Sequence, residues 1–430
     1  MLTLIEKSGE NLTITREELA KLLRKTADEI ASSARKVLLV PPDMTRLNSQ
    51  AGPITAMLYA MLSPRADVDI IPALGTHAPM TEHELRSMFG PEIPLSRFKV
   101  HDWRKDIVKM GTVPGALLKE WSEGKVDYDV NVEVNRILFE GYDLIISIGQ
   151  VVPHEVVGMA NYTKNLMVGV GGADTINKSH FLGAACNMER IMGQSDTPVR
   201  RLFNYGVCEF LGNLPVHYIH TVMARNDASG KMEMRGFFAG NSQDVFLKAA
   251  ELSRRVNLLL LDKPLDKVLV YLDPEEFKST WLGNKAVYRT RMSIADGGEL
   301  IILAPGLREF GEDKEIDRLI RKYGYRGTPA TLDALKANDE LRKNLSAAAH
   351  LIHGSSEGRF TISYCPGPKV SADEIRSVGF KAGDLATMNA KYQPEKLRDG
   401  ENVLPSGERL FYISNPALGL WALKEKFKKS

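Results

Sequence analysis

Apolar residues along this chain alternate between two rhythms. Short β-branched runs, KVLLV (36–40), DVDIIPAL (67–74) and DLIISIGQVV (143–152), read as strands, and each gives way to a loop rich in proline, polar or charged residues. After the loops come stretches apolar at helical spacing, such as AGPITAMLYAML (51–62). The segment from about Thr15 to Ser33 predicts a helix, and Thr81 is placed to cap EHELRSMFG (82–90), with Glu84 three residues on. NLMVGVGG (165–172) predicts a fourth strand, and Asn177 or Ser179 is placed to cap a helix starting near His180.

The alternation continues in the second half. VHYIHTVMARN (216–226) reads as β, SQDVFLKAAELSRRVNLLLL (242–261) as a helix, and KVLVY, GELIILAPG, RFTISYC and RLFYIS as further strands around helices between residues 313 and 349. Strand, loop, helix in succession is the grammar of an α/β protein. At 430 residues the chain is too long for one ordinary core. The expected architecture is two α/β domains, 1–260 and 266–408, with the active site in a cleft between them. The residues 412–430 are expected to form a terminal amphipathic helix packing back on the first domain.

Charge narrows the partners. Lys and Arg number 56 against 54 Asp and Glu, a formal charge of +2, which supplies no field for gathering nucleic acid or an anionic membrane. A small molecule is the expected partner. Cys186, Cys208 and Cys365 show no CxxC spacing; they read as small buried hydrophobes in a reducing compartment. No apolar run approaches the roughly 20 residues of a bilayer span, and charge enters the N-terminus too early for a signal peptide. A cytoplasmic protein is expected.

The chemistry-bearing residues cluster where strands end. Asp43 and Arg46, in PPDMTR, sit on a strand-to-helix loop, where an arginine fork suits a carboxylate or phosphate; an Asp-capped turn with a surface arginine is the plain alternative. His77 follows the second strand and His154 the third. In an open parallel sheet ligands gather beyond the carboxyl ends of strands, so these groups are expected to share one crevice. Two imidazoles suit a reaction in which either face of a carbon centre exchanges a proton. Lys164 stands beside an apolar, glycine-rich run, which fits an amine of depressed pKa or a side chain that snorkels to water. GVGG (169–172) lacks the spacing of a nucleotide-binding glycine loop, and His180 alone cannot close a protein metal site.

Taken together these residues resemble the lactate racemase family that uses a nickel-pincer nucleotide. DMTR (43–46) resembles its D-x-T-R cofactor loop, contributing Asp43, Met44, Thr45 and Arg46. LGTH resembles the segment of its first catalytic histidine, His77. His154, Lys164 and His180 match in spacing its second catalytic histidine, its cofactor-linked lysine and its nickel-ligating histidine. The resemblance implies a covalent pyridinium-3-thioamide-5-thiocarboxylic acid mononucleotide on Lys164, with Ni(II) held by three pincer donors and His180. It also implies C2 inversion of a 2-hydroxy acid: hydride passes reversibly to the cofactor while one histidine takes the hydroxyl proton and the other returns it. Cofactor-biosynthesis proteins are implied for maturation. Arg46 and, in STWLGNKAVYRTR, Lys285 occupy substrate-contacting positions. The lactate-active pattern has glutamine three residues before that lysine, and this chain has Leu282. The expected substrate is therefore another 2-hydroxy acid, an aldonate such as gluconate among them.

Two other readings stand beside this one. Alternating strands and helices with glycine-rich loops also describe an NAD-dependent 2-hydroxy acid dehydrogenase, though no GxGxxG follows the first strand. A non-catalytic carrier of a nucleotide-like ligand would keep the same residues without turnover.

Overall fold

A computed structural model describes residues 4–226 and 230–428. The chain divides into two compact units, 1–182 with 191–257, and 183–190 with 258–430. Each is an α/β unit built on a six-stranded sheet, the fold class expected from the alternating pattern.

In the first unit the strands are β1 (Ile5–Ser8), β2 (Lys36–Val40), β3 (Asp67–Ile70), β4 (Leu144–Gln150), β5 (Val216–Arg225) and β6 (Met232–Gly240). Their order across the sheet is β1-β6-β5-β4-β2-β3. β3, β2, β4 and β5 run parallel, while β6 and β1 add antiparallel. β2 is buried along Val37–Val40, as a strand covered on both faces requires. The chain leaves β2 for β3 on one side and returns to place β4 on the other. That reversal puts a topological switch point between the carboxyl ends of β2 and β4, where open sheets bind ligands.

Local signals behave as the sequence implies around this sheet. Thr15 caps Arg16–Ile30 and Thr81 caps Glu82–Phe89, each in a reciprocal capping box with the glutamate three residues on. Three local expectations are overturned. NLMVGVGG is no strand: Asn165–Gly169 forms one turn of π-helix, because the Asn165 amide donates to Val40 O (3.0 Å) and Ser147 Oγ (2.9 Å) instead of pairing in a ladder. The helix carrying His180 runs Ala173–Ala185, so neither Asn177 nor Ser179 caps it. Its first turn is laced to the strand Val130–Asn135, with Asp174 accepting from Asn131 N (2.7 Å) and Thr175 Oγ1 donating to Asn131 O (2.7 Å). Cys208 is exposed, whereas Cys186 and Cys365 are buried as expected.

The second unit has β7 (Leu265–Tyr271), β8 (Ile294–Ala304), β9 (Thr361–Pro366), β10 (Lys381–Ala382), β11 (Gly400–Val403) and β12 (Arg409–Ile413), ordered β10-β9-β8-β7-β12-β11. Only the β11–β12 pair is antiparallel within this sheet. The chain end departs from the expected long helix. Leu420–Leu423 is a buried strand pairing in parallel with Leu258–Leu261, flanked by a 3-10 turn at Pro416–Leu418 and a short helix at Lys424–Lys428. The apolar run LWAL is too short and too continuous to distinguish a helix from a buried strand by periodicity. Among the described residues no helix is long and apolar enough to cross a membrane.

The segment 183–190 is tied into this unit by Glu189. Its carboxylate accepts from Arg291 Nε (3.1 Å), Arg359 (3.0 Å) and Lys426 Nζ (3.0 Å). Burial pushes its pKa up, but the three cations outweigh that and hold it below the ordinary glutamate value. Glu189→Gln leaves the buried Arg291 and the half-buried Arg359 and Lys426 without their anion and is expected to cost about 2–4 kcal/mol in urea unfolding near neutral pH. Because the folded pKa is depressed, this contribution is complete above the unfolded value and fades as pH falls through the folded one. A deficit that failed to shrink on acidification would contradict the assignment.

Candidate active site

The strand order brings three loops to neighbouring carboxyl ends: 41–50 after β2, 71–81 after β3 and 151–164 after β4. At the first, Met44–Ser49 is a short 3-10 helix that begins with Asp43 in extended backbone. Thr221 Oγ1, on β5, donates to Ser49 O (2.8 Å) and pins its far end. Asp43 is buried, and its carboxylate accepts from Thr45 Oγ1 (2.5 Å) and from His77 Nδ1 (2.5 Å). Burial pushes its pKa up, but the His77 hydrogen bond and charge, with Thr45 and Arg46, bring it below the ordinary aspartate value. One nitrogen of Arg46 donates to Thr45 O (3.2 Å) and Oγ1 (3.1 Å). Met44 packs on the core of this unit.

The β3 loop is held against the π-helix. Gly75 takes a left-handed φ of +57°, and its N–H donates to Gly169 O (2.8 Å). A Cβ on Gly169 would lie 2.7 Å from the Cβ of Ala73, so glycine is required for this approach. The two contacts bring the loop that carries His77 beside the segment that follows Lys164.

Lys164 itself lies at the switch point, since the next residue, Asn165, bonds to both β2 and β4. Burial pushes its pKa down to about 8, helped by the charges of Arg46 and Arg200, while Glu155 and Asp43 pull it up. A lysine in this state holds an appreciable fraction of neutral, nucleophilic amine near neutral pH.

The two candidate catalytic histidines are held by different partners in different neutral tautomers. His77 Nδ1–H donates to Asp43, which leaves Nε2 as the acceptor of the neutral ring. His154, buried on the short strand Pro153–His154, accepts at Nδ1 from Val156 N (3.1 Å), so its neutral ring carries the proton on Nε2. His77 can take a proton in this tautomer, whereas His154 gives one only as the imidazolium, which the Glu155 carboxylate 3.8 Å from its Nδ1 would favour.

His180 completes the group. Its Nδ1 lies 2.7 Å from Ile176 O, one turn back along the helix, so Nδ1–H is the donor and Nε2 keeps its lone pair. Burial pushes its pKa down to about 4, so the ring is neutral at ordinary pH. Lys164 acts on it electrostatically, and Glu155 acts on both. Among the described residues no group of three or more His, Cys, Asp or Glu is placed to hold a metal ion. A single neutral imidazole beside a reactive amine fits a metal whose other donors arrive on an attached cofactor.

Leu282 and Lys285 belong to the second unit. Leu282 lies in the short helix Thr280–Gly283, and Lys285 opens Lys285–Thr290 with its ammonium over the Phe277 ring, 5.6 Å from its centroid. Sequence reasoning passed over Glu155, Asn165 and Arg200. Glu155 and Asn165 adjoin residues already singled out, whereas Arg200, in TPVRRLF, carries no local signal.

The class of protein follows from these features: a two-unit α/β protein with an Asp-His pair, a second histidine, an activated lysine and a lone metal-competent histidine assigned to one unit. Its fold is that of lactate racemase. Over 97% of this chain and 94% of the other, it superposes on the lactate racemase apoprotein of Thermoanaerobacterium thermosaccharolyticum with a TM-score of 0.70 at 18% identity. A crystal structure of a Thermotoga maritima protein matches with a TM-score of 0.82 at 23% identity, over 97% and 100% of the two chains. In sequence, the lactate racemase of T. thermosaccharolyticum is 24% identical over 332 residues, 72% of this chain and 71% of that protein. Residues 3–192 match the family model of the lactate racemase N-terminal domain.

Proposed function

We propose that this protein is an isomerase that inverts C2 of a 2-hydroxy acid, with a nickel-pincer nucleotide attached to Lys164. The observation that carries this reading is an amine and an imidazole of one unit that act on each other: a lysine whose pKa is lowered to about 8, and a neutral histidine whose Nδ1 is committed to Ile176 O. A dehydrogenase using a diffusible nicotinamide has no need of either.

When bound, the nucleotide would supply the hydride acceptor and donor that no side chain provides. Arg46 binds the substrate carboxylate, and the charge it contributes beside Lys164 favours an anionic substrate. His77 Nε2 accepts the proton of the C2 hydroxyl from one side, with Asp43 stabilising the imidazolium that forms. His154, as the imidazolium beside the Glu155 carboxylate (3.8 Å from Nδ1), returns a proton from the other, and for the opposite enantiomer the two rings exchange protonation states and roles. Lys285 and Leu282 contribute to substrate recognition, and Leu282, standing where lactate-active relatives carry glutamine, argues for a 2-hydroxy acid other than lactate, an aldonate such as gluconate among them. Maturation depends on separate proteins that make the cofactor.

The test is incubation of holoprotein with a panel of 2-hydroxy acids in deuterated water. Inversion with little deuterium at C2 is expected, because the carbon-bound hydrogen travels as hydride. Full deuterium incorporation, or a requirement for added NAD, would sink this reading.

A further inference from the structure

Arg200 is the largest fully buried side chain of the protein, at 1% exposure, and no carboxylate pairs with it among the described residues. A buried guanidinium is costly unless its donors are satisfied; here Nε has no partner among the described residues, and the acceptors of the two terminal nitrogens come from one stretch of chain. Its terminal nitrogens donate to Met159 O (2.6 Å), Asn161 O (3.2 Å) and Thr163 Oγ1 (2.8 Å). The Phe246 ring closes over it, 4.4 Å from its centroid. The turn it grips is strained: Asn161 and Tyr162 are consecutive non-glycine residues at φ of +67° and +60°. The next residues are Thr163 and Lys164.

We propose that Arg200 is a positioning residue that clamps the Met159–Thr163 turn in its left-handed form and thereby fixes where the Lys164 amine points for attachment of its cofactor. The inference rests on the reading that Lys164 is the attachment point. Asn165 anchors the chain on the far side of Lys164, so the lysine is held between two fixed ends. Without the clamp the turn relaxes toward ordinary backbone and the amine leaves the switch point. The fork, and not the charge alone, performs this role, because three acceptors at three chain positions need a planar multidentate donor. Thr163 Oγ1 passes the constraint on by donating to Asn204 Oδ1 (2.8 Å).

The experiment is competitive trace acetylation of the full-length protein, read by peptide mass spectrometry at Lys164 against the remaining lysines across a pH series, beside the mass of the Lys164 peptide in holoprotein. The groups acting on this amine are Arg46, Arg200, Glu155, Asp43 and His180, and all but Arg200 are retained in Arg200→Lys. In the wild type Lys164 should label ahead of solvent lysines, with a midpoint near about 8. Arg200→Lys, which keeps a cation and loses the fork, should reduce this preference and the cofactor-bearing fraction by about tenfold, corresponding to roughly one unit of pKa. Thr163→Val, which removes one acceptor and leaves Arg200, should reduce both in the same direction by less, and serves if Arg200→Lys does not fold. Unchanged preference in a folded Arg200→Lys, or in Thr163→Val if that is the only one to fold, overturns the proposal. A wild-type holoprotein without added mass at Lys164 overturns the attachment reading instead, and the acetylation preference alone then judges the clamp.

Discussion

Lys164→Ala is expected to abolish C2 inversion and remove the cofactor mass from its peptide, while the protein keeps its circular dichroism spectrum and melts within a few degrees of the wild type. The fold should tolerate the change because Lys164 is only partly buried, and its segment is held by neighbours: Asn165 on β2 and β4, and Arg200 on the preceding turn. Removing a desolvated ammonium should if anything relieve the unit, since burial is the main cause of its lowered pKa. Activity has no such backup. Among the described residues no three-residue group is placed to hold a metal ion, so His180 alone would have to retain metal and cofactor. Lys164→Arg should be as inactive as the alanine variant, because a guanidinium keeps its proton. Retained turnover with stoichiometric nickel in either variant would move the attachment point elsewhere and end the present reading.

The parts of this site legible in the sequence are those set by local rules. β2, β3 and β4 announce themselves as short β-branched runs, and the loops after them follow from the α/β grammar, so the pattern alone places Asp43, His77 and His154 at strand ends. Thr81 reads as a cap because its partner, Glu84, is three residues away. What is not legible depends on distant partners. Residues 165–172 look like a strand until the Asn165 amide is seen to reach Val40 and Ser147, 125 and 18 residues away in the chain. The helix carrying His180 starts early because residues 131–133, some forty positions upstream, satisfy its first turn. Arg200 meets its acceptors across a comparable separation. The tautomers of His77 and His154 likewise follow from partners that no spacing reveals.

Asp43→Asn tests the histidine assignment at its most sensitive point. Asp43 accepts from His77 Nδ1–H and so fixes the tautomer whose lone pair is on Nε2. An asparagine can turn its NH2 toward Nδ1, stabilise the other tautomer and leave Nε2 protonated, unable to take the hydroxyl proton. kcat should fall by about 10²–10⁴-fold with a much smaller change in KM, since what is lost is orientation and imidazolium stabilisation and not substrate contact. The stability effect has its own signature. The folded carboxyl is held below its ordinary value of about 3.9, so its contribution is present above that pH and is lost as pH falls through the folded value. The gap in unfolding free energy between wild type and Asp43→Asn should therefore be constant near neutrality and close only in acid. Because both residues act through one imidazole, the double variant Asp43→Asn, His77→Ala should be no slower than His77→Ala alone. If the two effects instead multiplied, Asp43 would act on the reaction by a route other than His77, and the assignment of the proton to that ring would fail.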